Sequence, residues 1–165
     1  MEVVQAGRLD AGVRPFHDKA SQDSMRTVDQ LFERYGSFHR HPTNKAIHWV
    51  CVPLIVWSVL GLLWSASPIV AYLALAAALA FYARLSLPLA LGMLVVLAAM
   101  LYALTWLGGR VLVASMLVFV LAWIGQFIGH GIERSRPSFT EDVRSFLVGP
   151  AWLLGFVYRR LGIGY

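Results

Sequence analysis

The sequence predicts an all-α integral membrane protein with four transmembrane helices, an N-terminal amphipathic helix and a C-terminal interfacial or re-entrant helix. Three observations carry this expectation. Apolar residues make up 58% of the chain and charged residues only 14%, a balance far from that of a soluble domain. The charges are also segregated: no acidic residue lies between Glu33 and Glu133, and between Lys45 and Glu133 the formal charges are Arg84 and Arg110 alone. Within that apolar body, Ser-Pro and Gly-Gly punctuation marks off four lengths, each suited to a hydrocarbon core of about 30 Å.

Residues 1–24 have no sustained period and hold Gly7, Gly12 and Pro15 among scattered charges. They read as a flexible extension, without a visible signal peptide, ahead of a single membrane-embedded helical domain over 25–165. From Met25 a helical pattern puts Val28, Leu31, Phe32, Tyr35, Phe38 and His39 on one face, with Asp29, Gln30, Glu33 and Arg34 opposite. Pro42 breaks this helix, and Thr43 or Asn44 suits the cap of the next. The first span runs from Ile47 to Trp64, kinked near Pro53. Ser65-Ala-Ser-Pro68 is a turn, with Pro68 fitted to open a second span that reaches about Tyr82. Arg84 and Ser86-Leu-Pro88 punctuate the next turn, and Leu89 to Leu107 forms the third span. Gly108-Gly109-Arg110 turns the chain again, and Val111 to Gly129 is the fourth span. After Arg134-Ser-Arg-Pro137 and a Ser138-Phe-Thr140 link, a helical stretch begins at Glu141. Its apolar part, Phe146 to Tyr158, is interrupted by Gly149-Pro150 and flanked by Arg144, Arg159 and Arg160, which suits the membrane surface better than a full span.

Four spans return the chain to the side it entered from. Arg26, Arg34, Arg40, Lys45, Arg84, Arg134, Arg136 and Arg144 fall on that side and Arg110 on the other, so the positive-inside rule makes that side, and the N-terminus, cytoplasmic. The excess of 14 basic over 9 acidic residues lies at the ends of apolar runs. It therefore belongs to a membrane surface and not to nucleic acid. A composition rich in Ala, Leu and Arg points to a bacterial inner membrane, or to the endoplasmic reticulum if the source is eukaryotic. Cys51 is the single cysteine and closes no internal disulfide.

This topology brings chemistry together. Gln126, His130 and Glu133 recur at i, i+4 and i+7 on one face of the fourth span, at its cytoplasmic end. His39, His41 and His48 enter at the same end of the first. Ionisable groups in or beside membrane spans are costly and by default functional candidates. Histidines with one carboxylate are the ligand set of non-heme Fe(II) oxygenases. His39, His48, His130 and Glu133 are thus the expected metal ligands, with Asn44 and Gln126 orienting them by hydrogen bonds. Zinc accepts the same residue types. Heme is disfavoured, because a membrane diheme protein offers histidines at both ends of its spans. Plainer readings stay open: Asn44 as a helix cap, His41 as a solvated turn residue, and Glu133 in an interfacial ion pair with Arg40, Arg134 or Arg136. Trp49, Trp57, Trp64, Trp106, Trp123 and Trp152 lie mostly near span ends and read as interfacial anchors.

The segment Tyr35-Gly-Ser-Phe-His39-Arg-His-Pro-Thr-Asn44-Lys-Ala-Ile-His48-Trp-Val-Cys-Val-Pro53-Leu is followed, after the apolar body, by Gln126-Phe-Ile-Gly-His130-Gly-Ile-Glu133-Arg-Ser-Arg-Pro137. Together they resemble the Mpo-type 2-hydroxy fatty acid dioxygenases over about residues 26–160. The resemblance implies an Fe(II)-dependent oxidoreductase of fatty acid α-oxidation, in which a 2-hydroxy fatty acid and O2 give a fatty acid one carbon shorter. It also implies His39, His48 and His130 as catalytic positions. The sequence departs from the family pattern at Cys51, where glycine is usual. It departs again after Pro150, where an acidic residue common in the family is missing, which leaves Glu133 as the nearby carboxylate. On this reading the acyl tail lies among the spans, the head group reaches the metal at the interface, and Arg40 or Arg134 neutralises the substrate carboxylate. The rival reading, from a different class, is a non-catalytic lipid-binding or scaffold protein whose histidines hold structural zinc.

Overall fold

A computed structural model describes residues 27–134 and 144–165. The extension over 1–24, the helix start at Met25, Arg136 and the link up to Glu141 lie outside the described residues. These residues form helices α1 (Thr27–Ser37), α2 (Pro42–Ala66), α3 (Pro68–Leu85), α4 (Leu87–Thr105), α5 (Val111–Glu133) and α6 (Ser145–Leu161), with a 3-10 turn at Gly108–Arg110 before α5. No strand occurs among them. Four helices, α2 to α5 with the 3-10 turn joined to α5, are long and apolar enough to cross a membrane. Their outer faces expose large apolar side chains such as Leu73, Leu91, Val95, Leu117 and Leu121, which lipid tolerates and water does not. This is a four-span membrane protein.

The helices differ from expectation by a few residues at several ends, and more at three places. Pro42, which needs no N–H donor, opens α2. The cap is therefore His41, whose Nδ1 accepts the Thr43 N–H at 3.2 Å, and not Thr43 or Asn44. The helix gains more than a turn before Ile47 and runs on through Pro53. At the other end of the bundle's chemistry, α5 continues past Gly129 to Glu133 and closes on Arg134 in the left-handed conformation, φ 56°. Helix α6 is likewise continuous through Gly149-Pro150. Val148, Ala151, Leu153 and Gly155 are buried against neighbouring helices, and that packing outweighs the hydrogen bond proline removes.

The helix pair α2 and α5 makes the most extensive contact of the fold, and small residues allow it. A Cβ at Gly125 would lie 2.6 Å from Cys51 Sγ, and one at Gly129 would lie 2.5 Å from Asn44 Oδ1. Further along, Gly61 faces Ser115. Helix α6 packs on α1, α4 and α2, with Phe32 and Tyr35 of α1 in a core that includes Tyr82, Leu89, Met93 and Val148. Two hydroxyls fasten it: Tyr82 donates to the Leu147 carbonyl and Tyr158 to the Pro88 carbonyl, each at 2.9 Å. The result is a wall of α1 and α6 beside the first turns of α2 and the last turns of α5.

Candidate metal centre

Three histidines from three segments converge inside that wall. His39 lies in the turn between α1 and α2, His48 in the second turn of α2, and His130 in the last turn of α5; their exposures are 1%, 2% and 6%. The ring centroids are 4.2 Å apart for His39 and His48, 5.3 Å for His39 and His130, and 4.9 Å for His48 and His130. One ring nitrogen from each lies within 4.8 Å of the others. Metal–nitrogen bonds of about 2.1 Å allow two ligands to stand about 4.2 Å apart at most, so small inward movements bring all three onto one ion.

The backbone fixes which nitrogens are available. His39 Nδ1 lies 2.7 Å from the Tyr35 carbonyl and His48 Nδ1 lies 2.9 Å from the Asn44 carbonyl, both one helical turn back. A carbonyl only accepts, so each Nδ1 carries the hydrogen and each Nε2 keeps its lone pair. His39 Nε2 is buried with no hydrogen-bond partner. A buried unsatisfied acceptor is expensive, and a metal ion is the partner its lone pair suits. Burial holds His39 below the usual imidazole pKa, with Lys45 adding to the lowering and the Tyr35 carbonyl and Glu133 opposing it. The ring is therefore in the neutral form that ligation requires. Tyr35 stacks on His39 at 4.4 Å and 17°, and burial raises its own pKa, so it stays protonated.

Glu133 stands differently from the ligand role expected of it. Its carboxylate accepts the Arg40 N–H at 2.9 Å, the His41 N–H at 2.8 Å and the Asn44 side-chain amide at 3.1 Å, and the candidate metal cluster contains the three histidines without it. It satisfies the free donors before α2 and ties the end of α5 to the turn that carries His39. Asn44 is fully buried and makes three links, its backbone carbonyl to His48 and its side-chain amide to Glu133 and to the Phe38 carbonyl. Gln126 is buried beside the histidines and lines their cavity. His41, Arg40 and Arg134 are exposed at the same end.

Beneath the rings is a cavity of about 50 Å³, lined by His48, His130, Tyr35, Gln126, Trp123 and Phe146 among others. Neither Arg40 nor Arg134 reaches it. Tyr35 and Trp123 were not legible as site residues. Trp123 walls the cavity, and Trp152 lies 5.6 Å from Tyr35 and 6.0 Å from His39, so these two tryptophans pack beside the site. The spacing of Tyr35 one helical turn before His39 is the signal that could have found the first.

Fold and site together define a membrane-spanning helical protein with a buried three-histidine cluster of metal-ligand character. The chain belongs to the Mpo1-like family: residues 25–161 match the family described as 2-hydroxy-palmitic acid dioxygenase Mpo1-like. It is 30% identical over 138 residues to the 2-hydroxy-palmitic acid dioxygenase MPO1 of Saccharomyces cerevisiae, a similarity covering 78% of each chain. No solved structure matches it.

Proposed function

We propose that this protein is an Fe(II)-dependent dioxygenase that shortens 2-hydroxy fatty acids by one carbon, with the metal held by His39, His48 and His130. The carrying observation is the buried, partnerless Nε2 of His39 among ring nitrogens that share one place. The activity named for the yeast relative supplies the substrate class. The overall change balances: the C1–C2 bond breaks, C2 becomes the carboxyl carbon of the shorter acid, C1 leaves as carbon dioxide, and dioxygen ends in the new carboxyl and in water. Fe(II), held by His39, His48 and His130, would supply the redox chemistry with dioxygen that this change needs.

The chain's own residues do the rest. The Tyr35 and Asn44 carbonyls hold two rings in the ligating tautomer, and Glu133 holds the His39 turn against the end of α5. Tyr35, protonated and lining the cavity, is a hydrogen-bond donor for the substrate head group. Arg40 and Arg134, outside the cavity, draw an anionic amphiphile to the membrane surface without gripping its carboxylate. The histidine end faces the cytoplasm by its basic excess, in a bacterial inner membrane or, in a eukaryote, the endoplasmic reticulum.

Protein purified without oxygen is expected to carry stoichiometric iron, to consume dioxygen when 2-hydroxypalmitate is added, and to lose both properties on His130→Ala. Tightly held zinc with no oxygen uptake would make it a lipid-binding or scaffold protein instead. A strong Soret band would replace the site with heme.

A further inference from the structure

A cavity of about 50 Å³ is far below the few hundred Å³ of a complete lipid-sized pocket. It has room for a head group, and an acyl tail has to leave it. Two apolar grooves adjoin it. One, of about 190 Å³, shares Ile55, Val56 and Phe146 with the cavity and continues along Val59 and Leu63 of α2, facing Ala74 and Ala78 of α3. The other, of about 170 Å³, shares Val52, Val56 and Pro150 and runs beside Trp49 and Pro53 toward Met93 and Val96 of α4.

Their walls differ. In the first groove Ile55, Val59 and Leu63 recur at i, i+4 and i+8, one stripe leading away from His48 into the depth of the membrane. From His48 to Leu63 is fifteen positions, about 22 Å at the rise of an α-helix. A leaflet's acyl chains fill about half of a hydrocarbon core near 30 Å, so the cavity and the stripe together are long enough for a full tail. Its opposite wall is kept open by small half-buried residues, Ala74 and Ala78. Its far end meets the packed cluster of Leu60, Ala71 and Leu104, against which Leu63 and Leu75 lie. The second groove follows α2 only from Trp49 to Val56 and is otherwise walled by Met93, Val96 and Met100 of α4 and by Leu153, Leu154 and Val157 of α6.

We propose that the groove between α2 and α3, from Ile55 to Leu63, binds the acyl tail of the 2-hydroxy acid and that Ala74 and Ala78 set the chain length accepted. This rests on the dioxygenase reading. Phe146 stands at the junction, where the tail leaves the head-group cavity.

The test is the chain-length profile of the full-length, iron-loaded protein on acids from 2-hydroxyoctanoate to 2-hydroxystearate. Ala78→Phe and Ala74→Phe are expected to lower kcat/KM for 2-hydroxystearate about tenfold or more, because each methylene pushed out of the groove loses several-fold in affinity. Turnover of 2-hydroxyoctanoate is expected to persist, which also shows the fold intact. If Ala78→Phe loses both substrates, the milder Ala78→Val and Ala74→Val carry the same comparison. Val96→Phe, in the second groove, is expected to leave the profile unmoved. An unaltered profile in both alanine variants, as for a groove filled only by ordinary lipid, overturns the assignment, and so does a shift produced by Val96→Phe alone. Wild-type protein inactive on every chain length overturns the dioxygenase reading itself, a result distinct from an active enzyme indifferent to Ala78. A 2-hydroxy acid with a photoreactive tail end is expected to label residues near Leu63 and Ala74; labelling confined to α4 would contradict the proposal.

Discussion

The carboxylate of Glu133 joins segments 93 positions apart, accepting the backbone N–H groups of Arg40 and His41 just before α2. Neighbouring His39 depends on that turn for its place, so Glu133 acts on the cluster from outside it. A charged acceptor stabilises such bonds more than a neutral one. Glu133→Gln keeps one carbonyl acceptor and sets an amide donor against another donor. The variant is expected to be destabilised by about 1–2 kcal/mol, to keep the wild-type metal stoichiometry, and to bind the metal about 10–100-fold more weakly, as when an outer partner of a ligand is lost. Unfolding measurements and chelator competition read the two effects separately. Complete loss of the metal at unchanged stability would make Glu133 a ligand, the role its residue type first suggests. Residue type could not distinguish these roles, because the donors that occupy Glu133 are main-chain groups whose position is a product of the tertiary fold.

At the scale of elements, the contact of α2 with α5 decides whether the three rings meet. Gly129 is one residue before His130, and any side chain there runs into Asn44, the residue that orients His48. Gly129→Leu is expected to push the helices apart, cost about 1–3 kcal/mol as an overpacked contact, and abolish metal binding while circular dichroism keeps its helical signal. Gly131→Leu, where a Cβ meets nothing within 4 Å, should bind metal as the wild type does. Equal metal affinity in both variants would show that close approach is not required. The four spans were legible because membrane insertion depends on length and hydropathy, which are local properties of sequence. The convergence of His39, His48 and His130 was legible as well, since four crossings return the chain to one face. What escaped was set by packing: the start of α2 at Pro42, the unbroken α6 across Gly149-Pro150, and the inward use of Tyr35, Trp123 and Trp152. Cys51 also has its explanation across the interface, because Gly125 leaves the space that its sulfur fills.

For the whole molecule, a metal held by His39, His48 and His130 would bridge α5 to the α1–α2 corner, and its binding free energy would become cohesion between helices. In lipid the helices themselves do not melt, because their backbone hydrogen bonds have no substitute there. Separation of packed helices is the transition such a metal would oppose, and circular dichroism is blind to it. The protein carries its own probe: Cys51 is its single cysteine and is buried between α2 and α5 beside Ile55 and Ala122. A small membrane-permeant maleimide reaches it when the two helices part. A ligand present at a thousandfold over its Kd stabilises the closed form by about 4 kcal/mol, so Fe(II), or Co(II) as a stable stand-in, is expected to slow Cys51 labelling by at least about tenfold relative to chelator-treated protein. His130→Ala removes the only bridging ligand on α5 and should label at one rate with or without metal. His48→Ala leaves ligands on both sides and should keep a reduced protection. Wild-type protein that labels equally fast in both conditions would mean that no ion spans the two helices, and the three histidines would then need an explanation other than a shared metal.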